Sequence, residues 1–359
     1  MKRNKINFLF FIIVFLLTLT GLFLLLSKKN FIEIPASSIQ QSSKNSIVDN
    51  NYLSANQATE EVKHYSSISG LPCTNYNRRP IAVMIANDAA TRPLSGLSEA
   101  DLVVEMQVVT DSVTRLMAVF VCNDPKEIGS VRSARHDFIP LAMGLDAIYA
   151  HWGGSHYALN KLNNHIMNNL NALNNPFAAF YRKSTVFAPH NGFTSLDRLL
   201  VSAIKSGYRL ENQFIGYLHE EKLAEQNLSD GKNILDIGYN GIFRVRWQYD
   251  SAINSYFRWR SNTKEIDRNN NKQTEVKNIV VMRAQSRTIE GQYNDVDVEG
   301  AGRAEIYNNG RQIEGTWKKD EADSKSKLYF FDTNGQEIKF VPGAIWIEII
   351  EPNKTANWY

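Results

Sequence analysis

Cysteine is nearly absent from this chain. Its 359 residues include two, Cys73 and Cys122, too few for the disulfide framework that holds small secreted domains together. The fold must therefore rest on apolar cores. The about 280 residues after position 77 are enough for one or two of them. The pair leaves two readings open. It forms one bridge that pins the start of the folded part to a strand, or Cys122 is a small buried apolar residue. Positive charge is also scarce where it would count. The formal net charge is +3, but Lys2, Arg3, Lys5, Lys28 and Lys29 all lie in the first 29 residues. Taking those five from the 40 Lys and Arg leaves 35 against 37 acidic residues, a net of −2 for the rest. No basic face for displacing counterions is expected, so nucleic acid is excluded as a partner. There is no phosphate-cradling glycine loop, no dinucleotide-binding fingerprint and no G-x-S-x-G elbow. The histidines His136, His151, His156, His165 and His190 fit no HExxH or HxxxH spacing, so neither a metal nor a cofactor is expected.

The sequence does contain a long uncharged run. Ile6–Leu26 is 21 residues without a charge, sufficient to cross a bilayer core of about 30 Å as a helix. Three cations precede it and two follow, which favours a cytoplasmic N-terminus and an extracytoplasmic remainder. A cleavable signal peptide is the rival reading, with Ala36-Ser37 a weak cleavage site. A lipid-modified cysteine directly after the span is excluded, because the first cysteine is Cys73. Residues 1–29 are thus read as a cytoplasmic stub and membrane anchor, giving a single-pass protein of the plasma membrane. Residues 30–77, rich in Ser, Asn and Gln, are read as a flexible polar linker.

Continuous apolar runs begin at Ile81–Ala86 and recur at Leu102–Val109 and Val113–Val121, the last two joined as a hairpin. Helical spacing appears over Ala134–Asp146, Ser155–Asn164 and Thr194–Ser206, with Ser155 capping the second. Ala147–Trp152 reads as another strand. From about Gly238 short alternating strands dominate, with turns at Asn308-Asn309-Gly310 and Asn334-Gly335. The expected fold is an α/β N-terminal domain, residues 78–225, followed by a smaller β-rich C-terminal domain, residues 226–359.

Functional side chains concentrate between Arg115 and His156. Arg132, Arg135 and His136 lie in a small-residue segment that leads into a helix, a setting that suits anions. Internal pairing of the arginines with Glu99, Asp101 or Glu105 is the structural alternative. His151-Trp152-Gly153-Gly154-Ser155-His156 follows a strand and opens a helix, where α/β sheets place their sites. The expected ligand-binding set is Arg115, Arg132, Arg135, His136, Gly153, Gly154, Ser155 and Asn191. Catalytic candidates are His151, His156 and His190 as base and Glu105 or Asp137 as acid. Ser155 is more simply a helix cap than a nucleophile. The aromatic run Trp247, Tyr249, Tyr256, Phe257 and Trp259 reads as core rather than as a sugar platform.

Several stretches of text carry a resemblance. RPIAVMIAN (Arg79–Asn87), RPLSGLSEADLVVE (Arg92–Glu105), TRLMAVF (Thr114–Phe120), IGSVRSARHDF (Ile128–Phe138), DAIYAHWGGS (Asp146–Ser155) and FAPHNGFTS (Phe187–Ser195) resemble the YerB-like family. GAGRAEIY (Gly300–Tyr307) and NGQEIKFVPGAIWIEIIEP (Asn334–Pro352) are similar to its C-terminal part. The resemblance implies a two-domain protein of the bacterial envelope and brings no established reaction. Members are often anchored by a lipidated cysteine, a task that falls here to residues 6–26. The expected function is a membrane-tethered binding or scaffolding protein that recognises an anionic wall fragment or a wall-synthesis partner. An envelope hydrolase or transferase working at the same cleft is the alternative.

Overall fold

The apolar runs of the sequence become neighbouring strands of one ten-stranded sheet. The computed structural model describes residues 63–221, 231–239, 241–291 and 293–359. The expected membrane span, residues 6–26, lies outside the described residues. Among the described residues no helix is long and apolar enough to cross a membrane. We number the strands of the large sheet in chain order: β1 Ile81–Ala86, β2 Leu102–Gln107, β3 Thr114–Phe120, β4 Ile148–His151, β5 Asn169–Asn171, β6 Asn278–Arg283, β7 Gly300–Asn308, β8 Arg311–Lys319, β9 Tyr329–Asp332 and β10 Ile345–Ile350. Their order across the sheet is β9-β8-β7-β6-β10-β2-β3-β1-β4-β5. The helices are α1 Phe138–Gly144, α2 His156–Asn163 and α3 Leu196–Lys205.

The strand β10 joins the two halves of the chain. It runs parallel to β6 on one side, with Ile345 opposite Asn278, and parallel to β2 on the other, with Ile345 opposite Leu102. Strands of both sequence halves thus form one sheet, within the compact unit 61–359. The expected α/β character of the first half holds in part: among the described residues helices are short and few, and strands dominate both halves. α1 covers seven residues rather than the whole of Ala134–Asp146, with Pro140 in its first turn, where a missing N–H is harmless.

β1, β2, β3 and β10 are buried along their entire length because both faces of the sheet are covered. Alternate residues go to opposite cores. Ala82, Met84, Val104 and Ile347 pack with Phe138 and Leu141 of α1. Ile81, Val83, Val103 and Trp346 pack with Leu196 of α3 and with Trp247 and Tyr256 of a second sheet. That second sheet is built from Ile234–Ile237, Val245–Asp250, Ser255–Arg260, Thr263–Lys264, Glu275–Val276 and Ala356–Trp358. Trp247, Tyr249 and Tyr256 are core, as expected from their spacing.

The folded part starts earlier than the sequence suggests. The C-terminal end of the expected linker is structured: Ile68 is fully buried, Cys73 is bridged to Cys122, and Ser69 Oγ donates to Asp101 Oδ1 at 2.8 Å. Asp101 is held in turn by the Val121 and Cys122 N–H groups at 2.7 and 3.0 Å.

Candidate functional site

The segment after Gly129 carries two of the expected arginines, and backbone pairing fixes its course. Ala86 N–H donates to Ser130 O, Arg132 N–H to Met84 O, and Val131 N–H to Gly192 O. On its other side Trp152 N–H donates to Arg132 O, and Ala134 N–H to Gly153 O. The segment is therefore stitched between the carboxyl end of β1 and the Gly153-Gly154 turn. Arg115 enters from β3, directly opposite Ala86.

Arg115, Arg132 and Arg135 consequently share one neighbourhood with Asp88 and His190. Arg115 is buried, and its Nη1 reaches Asp88 Oδ2 at 3.5 Å. Arg132 donates to the carbonyl of Pro189 at 3.2 Å, and Arg135 to the carbonyl of Ala134 at 3.0 Å. Arg135 also lies 5.7 Å from the ring centre of Tyr293. The Nε atoms of all three are buried without a hydrogen-bond partner. Among the described residues, Asp88 is the one carboxylate ion-paired with any of them. Burial, then the approach of Arg135, pulls the pKa of Arg115 down to about 9, and Asp88 offsets only part of this. A guanidinium does not give up its proton in a protein. The shift reflects chiefly the burial of a guanidinium, then its arginine neighbours, which one carboxylate offsets only in part. Glu99, Asp101 and Glu105, the structural partners considered for these arginines, have no ion pair with them.

The other expected residues divide among different roles. Ser155 Oγ accepts the Ala158 N–H and caps α2. Gly153 has φ +62, and a Cβ on Gly154 would come within 3.2 Å of Ala134. Gly154 thus packs closely against the arginine segment, while a side chain on Gly153 would meet Leu173. Asn191 accepts from Arg182 at 2.7 Å. His151 is fully buried, with Nδ1 2.7 Å from Gly153 O and Nε2 3.2 Å from Asn169 Oδ1. It is a satisfied core histidine whose pKa is lowered by burial. His156 is exposed and pairs with Glu290 at 3.1 Å. His190 is half-buried beside Arg132, and burial, then Arg132, lowers its pKa.

Glu105 is not free to act as an acid. It sits between the two sheets, bonded to Arg260 at 2.7 and 2.8 Å and also to Arg258, Thr114 and Asn87. Burial alone would raise its pKa, but Arg260 and Arg258 outweigh that and lower it. Glu348, its neighbour on β10, and Glu265 complete this buried network.

His136 and Asp137 meet a partner the sequence did not announce. Asp295 belongs to the hairpin of Ser286–Glu290 and Tyr293–Val296, and its Oδ1 lies 2.9 Å from His136 Nε2. Asp137 Oδ1 lies 3.1 Å from the same nitrogen. Burial pushes the Asp137 carboxyl up to about 7, while the Val296 N–H works against this and Asp295 adds to it. Burial lowers the pKa of His136, against the pull of Asp295. These residues line an open cavity of ≈ 960 Å³ together with Lys161, Arg283 and Trp317. Nothing local in the text Asn294-Asp295-Val296 points to this site. A hairpin about 160 residues downstream supplies it.

With this geometry in hand, comparison with other proteins places the chain. Residues 68–209 match the family model described as "Protein of unknown function (DUF3048) N-terminal domain". Residues 235–347 match the corresponding C-terminal domain. The chain is 31% identical over 275 residues to a protein of Bacillus subtilis (strain 168) named "Putative lipoprotein YerB", covering 76% of this chain and 81% of that one. It is also similar to the crystal structure of the YerB protein from Bacillus subtilis, with a TM-score of 0.74 and 29% sequence identity. That likeness covers 82% of this chain and 100% of the other.

Proposed function

Because the chain belongs to the YerB-like DUF3048 family, we propose that it is an extracytoplasmic protein of the bacterial envelope that binds an anionic ligand through Arg115, Arg132 and Arg135. Residues 6–26 tether it to the plasma membrane as a single span. The ligand is an anionic cell-wall fragment or an acidic segment of a wall-synthesis partner. A lipoprotein name in the family supports the location, and the uncharged run Ile6–Leu26 supports the anchor.

One observation carries the binding reading: three clustered guanidiniums with a single carboxylate ion-paired among them. Such a cluster is destabilised by mutual repulsion until an anion enters, and planar guanidiniums match phosphate and carboxylate oxygens. Phe187, 93% exposed on the loop that brings in His190, offers an apolar surface next to the charge. The hydrolase alternative is weaker, since His151, Glu105 and His156 occupy separate environments with their own partners.

The test is thermal unfolding of the full chain in detergent, titrated with inorganic phosphate, poly(glycerol phosphate) or muropeptides against chloride at equal ionic strength. Binding to the folded state raises the midpoint in a concentration-dependent way, worth about 2.7 kcal/mol at a hundred times Kd. The rise is expected with an anion and should vanish in Arg132→Ala/Arg135→Ala. A shift that survives in the double variant, or none with any anion, rejects the reading.

A further inference from the structure

We propose that His136, Asp137 and Asp295 bind a divalent transition-metal cation of the zinc or manganese type at the wall of the cavity beside α1. The donor atoms of the three residues lie within 4.8 Å of one another. His136 Nε2 is 2.9 Å from Asp295 Oδ1 and 3.1 Å from Asp137 Oδ1. Ligands at about 2.1 Å from one ion, at tetrahedral or octahedral angles, stand about 3.0–3.4 Å apart. The two separations suit a shared cation.

Hydrogen bonding does not satisfy the same atoms. One imidazole nitrogen carries at most one proton, yet two carboxylate oxygens converge on His136 Nε2. A single N–H serves one of them well, whereas a cation serves all three donors. A second observation is independent of that convergence. Asp137 is 3% exposed, lines the cavity, and its Oδ2 has no hydrogen-bond partner. A buried carboxylate oxygen left without a donor is costly, and a cation would supply what is missing.

The donors are also held in place. Val296 N–H donates to Asp137 Oδ1 at 3.3 Å. Asp295 Oδ2 is paired with Arg287, which leaves Oδ1 directed at His136. The hairpin carrying Asp295 is fastened to the first half of the chain through Thr110, which bonds Thr288 at 2.6 Å and Asn294 at 2.9 Å. The His136 ring packs 5.3 Å from that of Tyr157. One imidazole with two carboxylates is an intermediate donor set: imidazole suits zinc, and carboxylate suits manganese. Three protein ligands beside an open cavity leave positions for water or an exogenous ligand. The inference does not depend on the arginine cluster.

The test uses the full chain in detergent, stripped with EDTA and freed of it. Calorimetric titration with zinc, manganese, magnesium or calcium chloride alone is followed by thermal unfolding at rising metal concentration. One zinc or manganese ion per chain is expected, with a midpoint that climbs with metal and falls back on adding EDTA. Asp137→Asn and Asp295→Asn should each weaken binding about 100-fold or more, a loss that changes to supporting residues alone already approach. The unfolding midpoint of Asp137→Asn in EDTA should equal or exceed that of the unsubstituted chain, since the change removes a buried carboxylate whose Oδ2 has no hydrogen-bond partner. If that variant fails to fold, the half-buried position of Asp295 carries the test. Absence of stoichiometric binding at millimolar metal, preference for calcium or magnesium alone, or full binding by both variants overturns the proposal. So would a fall in the EDTA midpoint of Asp295→Asn with no metal response in the unsubstituted chain, which marks a structural latch.

Discussion

Glu105 and Glu348 stand opposite one another on adjacent parallel strands and point into the same space between the sheets. Two arginines, Arg258 and Arg260, face them from the second sheet. Glu105 takes the closer bonds and stays ionised. Burial, then the charge of Glu105, pushes Glu348 up to about 8 from its ordinary 4.5. The unfolded chain releases this proton above about 4.5 while the folded one keeps it to about 8. The unfolded state then binds fewer protons, and stability falls as pH rises through that window, by about 1.4 kcal/mol per unit for one whole proton. Glu348→Gln keeps an acceptor for Trp247 Nε1, now 3.2 Å from Oε1, and removes the titration. Urea unfolding from pH 5 to 8 should show a flatter profile for the variant and a gain over the unsubstituted chain at pH 8. Parallel profiles would reject the assignment. Both carboxylates were visible as charges inside apolar runs, in LVVEMQ and IWIEII. Their partners, Arg258 and Arg260 in SYFRWR, were hidden in a strand that the sequence marks by its aromatic residues. Glu105 suits a catalytic acid equally well on sequence alone, because nothing in one strand states which distant strand answers its charge.

At the scale of elements, local chemistry was easier to read than long-range pairing. Ser155 and Ser195 cap α2 and α3, and Asn309-Gly310 makes the β7–β8 turn with both residues at positive φ, as turn chemistry dictates. Strands with apolar runs were legible because burial on both faces leaves few polar positions. The segment 63–77 was not legible. Its serines and asparagines resemble a linker, yet Ile68, the Asp101 contact and the disulfide hold it down. The bridge closes 49 residues of sequence separation. In the chain-entropy picture a loop of that size stabilises by about 4 kcal/mol. Cys73→Ser should lower the unfolding free energy by about 2–4 kcal/mol and expose residues 63–77 to proteolysis before the rest. An unchanged midpoint together with an intact N-terminal segment would remove the bridge from the account of stability.

For the whole molecule, the two family segments form one sheet. β10 is the last strand of that sheet in sequence and one of its central strands in space. It lies between β2 and β6, buried on both faces. Taken alone, residues 63–225 would leave the edge of β2 unpaired from Leu102 to Met106. They would also leave Glu105 without Arg258 and Arg260, and a buried carboxylate stripped of its partners destabilises by about 3–5 kcal/mol. Residues 226–359 alone would lose β2 from the other side of β10, along Ile345–Ile349, and leave Arg258 and Arg260 without Glu105. Each half loses its partner strand at the β2–β10 seam and one side of the buried ion network. Expressed separately, each is expected to lack a cooperative thermal transition. Expressed together without a covalent link, they should assemble into a complex that restores one, with the arginine cluster and the His136–Asp137–Asp295 site formed only then, because Tyr293 and Asp295 come from the second half. A cooperative transition in isolated residues 63–225 would show that the first half folds without β10. It would then carry the arginine cluster on its own, and anion binding should survive in that fragment while binding at the metal site is lost.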